Sequence, residues 1–228
     1  MTARLLESKE IAPGVLHLEF ELASGEELSF VPGQFVSLKR MFEGKEVIRA
    51  YSIASVPNGN RFALCLNEVR CGLFSPFLFM LQPGAEIEVA PPLGYFTLRN
   101  RDRDMLMIAT GTGVAPFRSM LAAHLAELNT QVTLMLGTRY AGTLLYREEF
   151  EDLARKYPNF RFWPTITKPA EDWTGRTGRV QQHLDEALDG RTDLDVYLCG
   201  LKEMVDDIRG LLKQRGFDRK HVVYEKYD

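Results

Sequence analysis

The stretch MLMIATGTGVAPFRSML, residues 105–121, decides how the second half of the chain folds. Met105–Ala109 is a continuous apolar run, as expected of a strand buried on both faces. From Pro116 the period changes, and Phe117, Met120, Leu121, Leu125 and Leu128 recur at helical spacing. Between strand and helix, Gly111 and Gly113 let the backbone turn sharply and approach a ligand closely. Pro116 suits a first helical turn, where a missing N–H costs nothing. The free N–H groups and the helix dipole make this turn an anion site suited to a pyrophosphate. A strand-to-helix turn with no ligand is the alternative, because Pro116 stands where GxGxxG has its third glycine.

Downstream, strands and helices alternate. Val132–Gly137 reads as a strand, and Phe150, Leu153, Ala154 and Tyr157 mark a helix. Phe160–Ile166 is a strand, followed by a helix near Val180–Leu188. Asp195–Cys199 is another strand. Met204, Val205, Ile208, Leu211 and Leu212 stripe a long helix that Gly216 stops. His221–Glu225 closes the series. Strands alternating with helices imply a doubly wound α/β parallel sheet.

Upstream, residues 1–99 read differently. Short apolar or alternating runs occur at Val15–Leu22, Gln34–Leu38, Arg49–Ile53, Phe62–Asn67, Glu86–Ala90 and Tyr95–Leu98. Gly and Pro punctuate them at residues 13–14, 32–33, 57–59, 83–84 and 91–92. This pattern predicts an antiparallel sandwich or barrel, broken by one short helix at Ser75–Leu81. The charged segment 99–104 is the expected boundary, giving domains 1–100 and 101–228.

Composition narrows the functional classes. With 228 residues, 45% hydrophobic and 26% charged, the chain has the length of one large or two small globular domains. A net charge of -3 speaks against a nucleic-acid or membrane-surface protein. The charged N-terminus lacks a signal-peptide core, and no apolar run is long enough to span a membrane. Cys65, Cys71 and Cys199 are an odd count and form no CxxC pair, which fits a reducing cytoplasm and argues against a disulfide framework and an internal iron–sulfur cluster; no metal site is expected.

A second motif is RAYSIAS at 49–55. In a strand, Arg49 and Tyr51 share one face, and Ala50 and Ser52 the other. Arg49 suits a phosphate, and the Tyr51 ring suits a flat heterocycle. A solvated arginine and a half-buried tyrosine are the simpler alternative.

RAYSIAS resembles the RxYS flavin motif of the ferredoxin–NADP reductase family. PGQF at 32–35 precedes it, as in that family. GLFS at 72–75, with an apolar stretch and PG at 83–84 after it, resembles the family's second flavin-phosphate motif. GTGVAPFRS at 111–119 is similar to its NADP-pyrophosphate motif. YLCGLKEM at 197–204 resembles its nicotinamide-side motif, and EKY at 225–227 its glutamate-plus-aromatic ending. The six occur in the family's order and span nearly the whole chain. The tail runs one residue further, to Asp228, as in bacterial rather than plastid members.

The resemblance implies an antiparallel flavin-binding β-barrel followed by a doubly wound nucleotide domain, with FAD as the default flavin. It implies that Arg49 binds the flavin pyrophosphate, Tyr51 packs against the flavin and Ser52 hydrogen-bonds near N5. Gly72, Leu73 and Ser75 offer groups to the flavin phosphates. Thr112 and Gly113, with Pro116 opening the helix, cradle the dinucleotide. Cys199 and Glu225 lie near the nicotinamide, and Tyr227 stacks on the outer flavin face. Hydride passes between nicotinamide C4 and flavin N5, at the interface of the two domains. Ser52 and Glu225 relay a proton.

For the coenzyme, Arg139 falls just past a strand end, where an adenosine ribose would sit. Lys168, Arg176 and Arg179 add positive charge, and no acid lies between Gly137 and Arg147. A 2′-phosphate needs cations and a free ribose favours a carboxylate, so NADPH is the expected coenzyme. The expected partner is ferredoxin or flavodoxin, both usually acidic. Lys39, Arg40, Lys45, Arg70, Arg99, Arg101 and Arg103 are candidates for a steering rim. A cytoplasmic monomer is expected. Alternatives are a reductase of free flavin or of an oxygenase component, and a non-catalytic regulatory or electron-transfer subunit.

Overall fold

The computed structural model describes residues 1–227; the extra tail residue Asp228 lies outside them. The chain divides into two compact units. One comprises Met1–Leu98 together with Ala115–Ala123, and the other holds Arg99–Val114 and the chain from His124 onward.

The first unit is built from β1 (Thr2–Ala12), β2 (Val15–Leu22), β3 (Phe35–Phe42), β4 (Lys45–Ser52), β5 (Arg61–Asn67) and β6 (Glu86–Val89), with α1 (Phe74–Met80) between β5 and β6. The sheet order is β4-β3-β6-β1-β2-β5, all antiparallel. A bridge from Ile53 to Leu64 joins the two edges and closes the barrel. Closure removes the exposed edges that an open sheet would leave. Alternate residues point inward, so Leu16, Leu18, Phe20 and Leu22 of β2 meet Val36, Leu38, Phe62 and Leu64 in one core, which also takes Phe74 and Leu78 of α1.

Two expectations need correction. The charged N-terminus is an 11-residue strand, β1. Its register shifts between Leu5 and Glu7, so the period-two alternation breaks and the strand is masked. Tyr95–Leu98 is not a strand. Only Leu93 bridges to Phe35 there, and Gly94 then turns the chain with φ of 114°.

The second unit contains β7 (Met105–Thr110), β8 (Val132–Thr138), β9 (Phe160–Ile166), a two-residue β10 (Arg176–Thr177), β11 (Asp195–Leu201) and β12 (Val222–Tyr227). Its helices include α3 (Arg147–Lys156), α4 (Leu184–Leu188) and α5 (Lys202–Gln214). The order is β10-β9-β8-β7-β11-β12, entirely parallel. From β7 the chain winds outward to β10, then returns to the other side of β7 as β11 and β12. The order therefore reverses between β7 and β11, where ligands of open α/β sheets bind, at the carboxyl ends of the strands. Met204, Val205, Ile208 and Leu212 seat α5 on the core formed by Leu106, Ile108, Val196 and Leu198.

Between the units in sequence, a 3₁₀ turn at Gly111–Val114 leads into α2 (Ala115–His124). The turn belongs to the second unit and nearly all of α2 to the first. No helix among the described residues is long and apolar enough to cross a membrane.

Candidate functional site

Three segments converge at the carboxyl end of the parallel sheet. Cys199 is in register with Ala109 on one side and Glu225 on the other, and Leu201 pairs with Tyr227. The GTG turn follows β7 directly and leans against the end of β11. A Cβ on Gly113 would collide with the Cys199 carbonyl and come within 2.7 Å of Gly200 Cα. Gly200 sits at φ of 139°, and a Cβ there would strike Thr110 Oγ1. Only glycines permit this backbone contact. The Leu201 amide donates to Thr110 Oγ1 at 3.3 Å, tying the loops together.

Gly111 adopts φ of 52°, with open space where a Cβ would project. Val114 and Pro116 are buried, and Thr112 is half-buried. The turn is thus anchored on one side and open on the other, which fits a dinucleotide pyrophosphate approaching the backbone.

Cys199 is fully buried. Burial and the Glu225 charge push its thiol well above the usual range, against an opposing hydrogen bond from Tyr227. The thiol is therefore neutral at physiological pH and unfit as a nucleophile. Glu225 and Tyr227 alternate onto one face of β12 and are both half-buried. The sheet thus brings together Thr112, Gly113, Cys199, Glu225 and Tyr227.

In the first unit, Arg49 and Tyr51 share a face of β4, opposite Leu38 and Val36 of β3. Arg49 is exposed, donates to the Ile48 carbonyl at 2.8 Å, and makes no ion pair among the described residues. Tyr51 packs at the edge of the barrel core, its ring centroid 6.3 Å from that of Phe74. Burial pushes its phenol up to about 12, against the lowering effect of Arg49. An uncompensated cation beside a half-buried aromatic ring fits a flavin with its phosphates. Ser52 is 5% exposed. In the GLFS segment, the Gly72 amide donates to the Val69 carbonyl and Ser75 Oγ accepts from the Val69 amide. Leu73 caps α1 and is exposed.

Two residues of the GTGVAPFRS motif have roles that sequence reading missed. Arg118 donates to the Ala54 carbonyl at 2.7 Å, and buried Ser119 donates to the Ser55 carbonyl at 2.6 Å. They fasten α2 to the end of the RAYSIAS segment. The one available signal was a serine at a helical position flanked by Phe117, Met120 and Leu121.

The cations divide into engaged and unengaged groups. Arg176 forks onto Glu186, with contacts of 2.6 and 3.3 Å, and lies 3.7 Å from the Trp163 ring centroid. It is held by protein groups, where the sequence offered either an added positive charge for the coenzyme or a solvated loop residue. Arg139 and Lys168 end neighbouring strands, joined by the Lys168 amide donating to the Arg139 carbonyl at 2.8 Å. Both are exposed, as is Arg179, and none makes an ion pair among the described residues. Of the proposed rim, Lys39 pairs with Glu88, Arg70 with Glu68, Arg101 with Glu127, and Arg103 with buried Asp195. That leaves Arg40, Lys45 and Arg99 without ion pairs among the described residues.

Comparison with known proteins agrees with this layout. Residues 2–98 match the oxidoreductase FAD-binding domain family, and residues 107–210 the oxidoreductase NAD-binding domain family. Ferredoxin–NADP reductase B of Sorangium cellulosum (strain So ce56) is 40% identical over 239 residues, covering 99% of this chain and 97% of that protein. The toluate 1,2-dioxygenase electron transfer component of Pseudomonas putida is 30% identical over 222 residues, and this chain spans 65% of its length. Among solved structures, a Neisseria gonorrhoeae ferredoxin NADP⁺ reductase with bound FAD and NADP superposes with a TM-score of 0.87 at 22% identity, covering 99% of this chain and 98% of that one. That last likeness shows the shared fold. By its two domains and its near full-length match, the chain belongs to the ferredoxin–NADP reductase family of flavoprotein oxidoreductases.

Proposed function

We propose that the chain moves electrons between NADPH and a one-electron carrier protein of the ferredoxin or flavodoxin type, with FAD as its resident cofactor. The observation that carries this reading is the convergence of the GTG turn, Cys199 and the Glu225–Tyr227 pair at the topological switch point. Bound flavin supplies the chemistry that converts a two-electron hydride exchange into single-electron steps. The protein's part is to bind, orient and shield.

Arg49 neutralises the flavin phosphates, assisted by Gly72, Leu73 and Ser75. Tyr51 supports the ring, and Ser52 donates a hydrogen bond at N5. Thr112, Gly113 and Pro116 shape the coenzyme pyrophosphate site. Cys199, as a neutral thiol, packs beside the nicotinamide without reacting, and Glu225 exchanges protons with solvent. Tyr227 is the aromatic side chain that would stack on a bound flavin and give way to the nicotinamide. The proposed setting is the cytoplasm and the proposed state a monomer.

The reading is tested with purified protein and NADPH. Cytochrome c reduction should appear only when ferredoxin or flavodoxin is added. Rapid carrier-independent reduction of free flavin would instead favour a flavin reductase, and a colourless, inactive protein would favour a regulatory subunit.

For the coenzyme, the 2′-phosphate falls to Arg139, Lys168 and Arg179, since Arg176 is engaged. Arg139→Ala is expected to raise KM for NADPH about tenfold, the loss of one charge-assisted hydrogen bond near 1.5 kcal/mol. KM for NADH should hold, and the effect should shrink at high salt. Equal losses with both coenzymes would make Arg139 structural.

Tyr227 gives a further expected result. An aromatic ring on the flavin contributes about 0.5–1.5 kcal/mol beyond burial, and nicotinamide binding must displace it. Tyr227→Ser should therefore tighten NADP⁺ binding roughly two- to tenfold, produce a long-wavelength charge-transfer band and weaken discrimination against NADH. Affinities and spectra matching the wild type would remove Tyr227 from the flavin.

A further inference from the structure

The β3–β4 hairpin carries a cationic, aromatic ledge in which Arg49 alone has a role in the proposed function, while the stacked Arg40–Phe77 pair beside it has none. Its register pairs Leu38 with Arg49, Arg40 with Val47 and Phe42 with Lys45. Arg40, Arg49 and Lys45 therefore project from one face, with Arg40 and Arg49 as diagonal neighbours, a spacing of about 7–8 Å between backbones. None of the three makes an ion pair among the described residues. Like charges gathered without a counter-charge repel, and a bound anion relieves that repulsion.

The ledge is also flat and apolar. The Arg40 guanidinium carbon lies 3.8 Å from the centroid of the Phe77 ring and 5.8 Å from that of Phe42. The two rings meet edge to face with centroids 5.9 Å apart, and Phe74 completes the cluster. Arg40 is thus fixed over Phe77 while remaining exposed. Leu73 and Met80, about one helical turn to either side of Phe77, are 63% and 71% exposed. An exposed planar cation held over a ring suits a purine, which stacks on guanidinium planes. The nearby Arg49 suits the phosphates of the same ligand. An acidic protein surface would satisfy the charges but would not need the aromatic ledge.

We propose that Arg40, seated on Phe77, is the platform for the adenosine half of FAD, and that it makes this chain select FAD over FMN. The inference rests on the flavin reading above. FMN has the ring system and one phosphate but no adenosine, so it isolates the ledge.

The test is flavin binding to deflavinated protein, followed by flavin fluorescence and calorimetry. Wild type should bind FAD more tightly than FMN. Arg40→Ala should weaken FAD roughly tenfold, as expected for one base–cation stack, and leave FMN unchanged. Arg40→Lys, which keeps the charge but loses the plane, should weaken FAD nearly as much. Equal losses of FAD and FMN would place Arg40 at the flavin or the first phosphate and overturn the proposal. Unchanged binding of both, with slower reduction of the carrier protein, would assign the ledge to the carrier and overturn it also. Wild-type protein that binds neither flavin would overturn the flavin reading itself.

Discussion

Gly113→Ala is expected to lower stability by several kcal/mol and to abolish dinucleotide binding. The added methyl would meet only backbone: the Cys199 carbonyl, and Gly200 Cα at 2.7 Å. No side chain can rotate away, so the ends of β7 and β11 must separate. Overpacking that shifts backbone costs typically 1–3 kcal/mol, occasionally more, and the Leu201 to Thr110 hydrogen bond is strained along with it. Gly210→Ala is the control. That position lies inside α5 with nothing within 4 Å of a new Cβ, so alanine should stabilise by about 0.5–1 kcal/mol. Thermal unfolding without nucleotide, and NADP⁺ binding by calorimetry, read both effects. Wild-type stability in Gly113→Ala would show that the two loops are not tightly opposed.

Arg49→Ala is expected to release the flavin. Arg49 lacks an acidic partner among the described residues, so in the proposed reading its counter-charge is the cofactor's pyrophosphate. A charge-assisted hydrogen bond contributes about 1.5–3 kcal/mol, equivalent to a loss of affinity of roughly ten- to a hundredfold or more. The fold should survive, because the side chain is exposed and its hydrogen bond is to the neighbouring Ile48 carbonyl. Gel filtration after dilution should yield folded, colourless protein. A variant that stays yellow would remove Arg49 from the phosphates.

The parallel sheet was legible because buried strands such as Met105–Thr110 are continuously apolar and its longer helices carry apolar residues at helical spacing. The GTG turn was legible because such a turn needs glycine at fixed positions. The barrel's first strand was not, since β1 carries Glu7, Lys9 and Glu10 and a bulge that breaks the alternation. Tyr95–Leu98 looked like a strand, but Tyr95 is 91% exposed beside the turn at Gly94.

Long-range contacts were the other loss. Arg118 and Ser119 act on carbonyls 64 residues away, and backbone carbonyls leave no residue-type signature. Arg176 read as a free cation because its partners, Glu186 and Trp163, flank it from separate elements. Arg40 read in sequence only as one of seven candidate rim cations and Phe77 not at all, and only the hairpin register and the placement of α1 bring them together. Residue types announce themselves where backbone geometry demands glycine or a core demands apolar side chains. Cation pairing depends on tertiary placement, which local patterns do not encode.

In the proposed function the chain takes electrons from NADPH and delivers them singly to a ferredoxin- or flavodoxin-type carrier through its bound flavin. Anaerobic visible spectroscopy of the purified holoprotein tests it most directly. Stoichiometric NADPH should bleach the flavin band faster than NADH does, and oxidised ferredoxin or flavodoxin added afterwards should restore it. A flavin band left unchanged by NADPH, or one bleached by NADPH but not restored by either carrier, would contradict the account.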